Sequence, residues 1–195
     1  MTMTDSSPRK EIKKGVRTLA VASAPVKGKR STLAIGVVQK EYSVEGVLST
    51  RIEVDGDDAS AKIAKMLSRS RFAQQVKIIA LDGAAIAGLN IVDPDYLKGR
   101  LGVHLLFITR HKPRSSALKR AIIAFGKEKG KSIAHKLKAH SELNSLYGFF
   151  FEGFYIVTDL SESHAKLVAE SAISALRLAH IIARGVATGE SKGRI

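Results

Sequence analysis

The chain has no cysteine and no tryptophan in its 195 residues. Without thiols, disulfides, thiolate nucleophiles and cysteine-held metals are excluded, which agrees with a reducing cytoplasm, the expected location. Long hydrophobic runs are missing as well. None approaches the roughly 18 residues that a membrane span requires, so no membrane partner is expected. The N-terminus, MTMTDSSPRKEIKKGVRTLA, sets a polar basic stretch before short apolar runs and lacks a secretory h-region. There is no internal repeat and no linker long enough to divide the chain. It reads as a basic leader, residues 1–14, and a single domain, 15–195. At 45% hydrophobic, that domain has the material for a sizeable core.

Acidic residues are scarce. Eighteen Asp and Glu face 32 Lys and Arg, a net charge of +14. The excess is clustered: residues 110–140 carry ten Lys/Arg, among them Arg110, Lys112, Arg114, Lys119 and Arg120, against Glu128 alone. Residues 1–30 add eight more against Asp5 and Glu11. Concentrated positive charge is the footprint of a polyanion binder, since each phosphate neutralised releases counterions. The expected partner is DNA or RNA, held through the 110–140 segment; a merely soluble surface would need no such clustering.

Hydrophobic periodicity then gives an order of elements. VRTLAVASA (16–24), STLAIGVVQ (31–39) and GVLSTRIEV (46–54) are strand-like and joined by polar turns at 27–30 and 39–46, as in an antiparallel meander. Asp58 suits a helix N-cap, with Ala59, Ile63, Met66 and Leu67 on one helical face behind it. VKIIALD (76–82) and VHLLFIT (103–109) are buried-strand runs either side of a short helix at 93–102. One or two basic helices over 119–138 break near Gly126 or Gly130, FFFEGFYIVT (149–158) reads as one aromatic strand, and a long helix runs from 161 to 187, closed by Gly189. The fold class is α/β: three antiparallel strands followed by parallel strands, with helices on both faces.

Three of the few acids crowd together in IEVDGDDASAKIAKML, as Asp55, Asp57 and Asp58. Asp82 ends its strand before Gly83, where ligands of open α/β sheets collect. If the two strands are neighbours, Asp57 or Asp58 and Asp82 converge, and Asp58 with Asp82 would suit Mg²⁺ or Mn²⁺ shared with a substrate phosphate. A DG pair also marks an ordinary turn and a DD pair an ordinary cap, so spacing alone leaves both readings open. The histidines at 104, 111, 135, 140 and 164 have no metal-ligand spacing. His180 shares a helix face with Ile173, Leu176 and Ala183 and fits either a buried structural histidine or a ligand. The Phe and Tyr of FFFEGFY fit a strand core better than a base-stacking surface.

LDGAAIAGLNIVD (81–93), the following VHLLFIT strand with Arg110, the VDGDDA segment after the third strand and the ALRLAHIIARGVATGESKGR tail (175–194) together resemble endonuclease V. They are closer still to its archaeal cousins, the endonuclease dU family. The resemblance runs from about residue 15 to the end. It implies an RNase H-like fold and metal-dependent endonuclease activity, on deaminated DNA such as deoxyuridine for the archaeal cousins. Position by position it gives Asp82 the role of the DG aspartate. Asp58, with Asp57 close by, takes the place of a glutamate heading the first helix. Arg110 stands for a lysine on the substrate phosphate, and His180 for an aspartate completing the cluster.

The departures from that pattern are specific. The first strand of such a nuclease delivers an acid, and the chain has none from 16 to 39, with Ser23 standing at the expected position. A hydroxyl is a poor ligand for a hard cation. Gly88 replaces a histidine, with Asn90 the nearest polar group, and no PYxPG wedge precedes Asp58. The alternative that follows is a degenerate member that binds nucleic acid without cutting it.

Overall fold

The computed structural model describes residues 15–130 and 133–191; the basic leader lies outside the described residues. Strands β1 (Arg17–Ser23), β2 (Ser31–Lys40) and β3 (Ser43–Glu53) form the antiparallel meander. Its second turn is tighter than the sequence suggests: β2 and β3 continue to a two-residue connection, with Glu41 at φ 52°. Helix α1 (Ala59–Ser68) leads into β4 (Val76–Asp82), the small hairpin β5 (Ala85–Ile86) and β6 (Asn90–Ile91), α2 (Pro94–Leu101) and β7 (His104–Thr109). Strands β4 and β7 run parallel to β1 and stay buried because both faces are covered.

The basic segment forms α3 (Ser115–Lys129) and α4 (Ala134–Asn144), with left-handed Gly130 capping the first. The aromatic run is two strands rather than one, β8 (Tyr147–Phe151) and β9 (Phe154–Thr158), turning at Glu152 and Gly153, whose φ values are 48° and 77°. A type I′ hairpin turn places both central residues at positive φ, and Glu152 sits exposed at that tip. Strand β9 is antiparallel to β7, so the sheet order is β3-β2-β1-β4-β7-β9-β8. Helix α5 (Glu162–Thr188) closes the chain, capped by the Ser161 side chain and by Gly189 at φ 80°.

Two apolar layers follow from strand alternation. Leu19, Val21, Ile79, Leu81, Leu105 and Phe107 face α1, α2, α3 and α4. Ala20, Ala22, Ile78, Ala80, Leu106 and Ile108 face α5. Helix α5 presents Ala165, Ala169, Ala172, Ala175, Ala179 and Ala183, all fully buried, so its backbone lies close to the alanine-rich face of β1. The arrangement is a mixed sheet with helices on both sides, as periodicity predicts, and an RNase H-like fold, as the resemblance implies.

Candidate functional site

Asp82 is the last residue of β4, and its chain position fixes its direction. It shares a face with Ile78 and Ala80, so it points toward α5, where Oδ2 lies 2.7 Å from Nε2 of His180. That nitrogen is closed to solvent and has no aligned hydrogen-bond partner, so the contact is a close approach of imidazole and carboxylate rather than an aligned hydrogen bond. The Asp82 side chain is 45% exposed. The chain then turns sharply at Gly83 (φ 72°), whose N–H donates to the carbonyls of Leu81 and Ile108.

The first strand corrects one sequence assignment. In the parallel register Val21 stands beside Leu81, which sets Ala22, not Ser23, beside Asp82. Ala22 is fully buried against α5. Ser23 faces the opposite layer, where its hydroxyl accepts from the Ala87 N–H at 3.3 Å. The neighbour of Asp82 on the β1 side is therefore a methyl group, and on the β7 side it is Ile108.

The aspartates of the DGDD loop are engaged elsewhere. Asp58 occupies the N-cap position of α1, but its side chain does not cap; Oδ1 accepts from the Glu53 N–H at 3.1 Å and the Asn90 amide at 2.8 Å. Asn90, fully buried, does the capping in its place, its Oδ1 accepting from the Ala59 N–H at 3.0 Å. Asp55, in left-handed backbone at φ 58°, accepts from the Leu89 N–H at 2.7 Å. Asp57 pairs with Lys136 at 2.9 Å.

Lys136 is the residue that sequence reasoning passes over. Only 1% exposed, it donates to the carbonyls of Asp55, Gly56 and Leu89 at 3.2, 2.5 and 2.8 Å, and its ammonium lies 5.4 Å from the Phe125 ring. It crosslinks α4 to the DGDD loop and to the loop after β5. Within a run of ten cations its sequence signal is that of any other; only the alternation of α4, which buries Lys136, Ala139, His140 and Leu143 together, sets it apart.

These placements decide whether a hard cation fits. Among the described residues no three of His, Asp and Glu stand together as metal ligands. Asp82 brings one carboxylate already in contact with His180, Ala22 brings none, and the three loop acids are bound to backbone, to Asn90 or to lysine. The donor set does not fit a protein-held Mg²⁺ or Mn²⁺, against the expectation for Asp58 and Asp82.

Around the turn from Asp82, on the opposite layer, lies a cavity of about 500 Å³. Gly83 and Ala85 form one wall, Leu118 and Leu143 of α3 and α4 another, and Tyr155 with Val157 a third, while Lys112 and Arg114 stand at its edge. The volume falls within the roughly 300–1,000 Å³ of ligand pockets. Arg110, Lys112, Arg114, Lys119 and Arg120 are all exposed at this end of the sheet and along the start of α3. No described helix is long and apolar enough to cross a membrane.

The chain is 32% identical over 192 residues to a UPF0215 protein of Methanothermobacter thermautotrophicus, covering 94% of both chains. It is 34% identical over 168 residues to a UPF0215 protein of Thermococcus sibiricus, covering 83% of this chain and 84% of that one. In three dimensions it resembles a protein of unknown function from Archaeoglobus fulgidus, with a TM-score of 0.73 and 24% identity over 88% of this chain and 98% of that chain. The sequence model of the family described as Endonuclease dU matches residues 14–187, and the chain belongs to that family.

Proposed function

We propose that the chain is a nucleic-acid endonuclease, cutting DNA that carries a deaminated base of the kind its family is named for, deoxyuridine. The observation that carries this reading is Asp82: a half-exposed carboxylate at the open end of a central strand, in contact with His180, one tight turn from a cavity on the opposite layer flanked by cations. A strand laid across the carboxyl end of the sheet meets Arg110, Lys112 and Arg114 with its phosphates, and the cavity has the size to receive a base turned out of the stack. The reachable atom for proton transfer is the second oxygen of Asp82, since Nε2 of His180 is buried. Asp82 takes the proton of a water whose oxygen bonds to phosphorus as the P–O bond to the leaving sugar oxygen breaks and that oxygen takes a proton from solvent; His180 is the positioning residue beside the carboxylate. With no fitting metal donor set, no step is assigned to an ion.

A second reading, binding without cutting, is favoured by Ala22 beside Asp82 and by the engaged loop acids. The experiment that separates them is incubation of the protein with labelled oligonucleotides containing uracil or hypoxanthine, with Mg²⁺, Mn²⁺ or EDTA. Nicking that survives EDTA and disappears in Asp82→Asn is the expected result. Salt-sensitive binding with no nicking in any arm replaces it with the second reading.

A further inference from the structure

The β8–β9 hairpin carries an aromatic pair that the core does not absorb. Alternation sends Phe149 toward α5, while Phe150 and its register partner Tyr155 point to the opposite face. There Phe150 remains 63% exposed, and its ring meets that of Tyr155 edge-on, centroids 4.9 Å apart at 71°. Tyr155 also forms a cavity wall, and the Lys112 ammonium lies 5.7 Å from its ring. An exposed phenylalanine on a strand forfeits the burial that ordinarily justifies it, and here it lies on the side where the loop cations gather.

We propose that Phe150, backed by Tyr155, is a stacking lip for one unpaired base of a single-stranded nucleic acid, with Lys112 and Arg114 on the adjoining phosphates. This rests on the reading that the chain acts on nucleic acid. A single strand is the fitting occupant because a flat exposed ring beside cations matches a base π-face joined to phosphate, whereas paired bases keep their faces stacked inside the helix. A second copy of this chain would bring the same positive surface, part of a net +14, against itself.

The test is affinity, by fluorescence anisotropy across a salt series, for a labelled single strand and for a duplex of equal length. Phe150→Ala weakens the single strand by about 5- to 150-fold, the range for one lost base–aromatic stack, and leaves the salt slope unchanged because no phosphate contact is lost. Phe150→Trp retains the affinity, and its indole, alone in a chain without tryptophan, is quenched on binding. Lys112→Ala lowers the salt slope by about 1 instead. Circular dichroism melting confirms that the exposed substitutions leave the fold intact. Three results overturn the lip: Phe150→Ala binding single strands like the wild type, Phe150→Ala altering only sedimentation and hence self-association, or a wild type that binds no strand. Phe150-dependent binding without nicking removes the endonuclease reading alone; nicking with binding indifferent to Phe150 removes the lip alone.

Discussion

Lys136 illustrates how single residues are committed in this molecule. A buried ammonium is tolerated only where oxygens replace its water, and three carbonyls with the Asp57 carboxylate do so. Lys136→Met strands those carbonyls, and a loss of about 3 kcal/mol or more is expected in urea unfolding. Asp57→Asn removes a half-exposed partner and is expected to change stability by less than about 1 kcal/mol. If the two variants unfold alike, Lys136 is not the crosslink described. Glu142 is a second committed residue. Burial first, then the Asp93 carboxyl beside it, raises its pKa above 4.5, so the stability contributed by its protonated form is present below that value and fades as pH rises through the raised one. Glu142→Gln removes the charge that burial and Asp93 disfavour; its stability should exceed the wild type at neutral pH and match it in mild acid, measured by thermal melts at both.

Among the elements, α1 depends on a residue far along the chain for its cap. Asn90 on β6 holds the Ala59 N–H, the Glu53 carbonyl and Asp58 at once, so Asn90→Ala should cost about 1–3 kcal/mol although it lies outside the helix. Glycines separate cleanly by element. A Cβ on Gly88, at φ 83°, would come within 2.2 Å of the Asp55 carboxylate, whereas one on Gly99 in α2 meets nothing within 4 Å. Gly88→Ala is therefore expected to lower the melting temperature and Gly99→Ala to raise it, by the roughly 0.5–1 kcal/mol of an exposed helical glycine. The helix and strand order could be read from periodicity because these elements bury continuous faces. The hairpin at Glu152 could not, because the run FFFEGFYIVT is apolar on both sides of a turn held by two positive φ angles.

Over the whole molecule, Asp159 ties the end of β9 to the start of β7 through the Leu105 N–H at 2.8 Å and His104 at 2.9 Å. Burial works to raise its pKa, and the His104 hydrogen bond with the Leu105 N–H outweighs it, leaving it below 3.8. The sign follows: this contribution is present above 3.8 and is lost as pH falls through the lower folded value. Urea midpoints should thus drop in strong acid for the wild type and change less for Asp159→Asn. The charge legible in the sequence acts at this scale as well, and the logarithm of nucleic-acid affinity should fall linearly with the logarithm of salt concentration.

Composition, the strand and helix order and the acids worth watching were all determined by the sequence itself, because burial periodicity and charge clustering are local properties of the chain. Tertiary structure decided what those acids do. Strand register placed Ala22 beside Asp82 and turned Ser23 to the other layer. Contacts from Asn90 and Lys136 bound Asp58 and Asp57, and α5 brought His180 to Asp82. Each is a long-range pairing, set by which faces pack together, and spacing along the chain does not encode it.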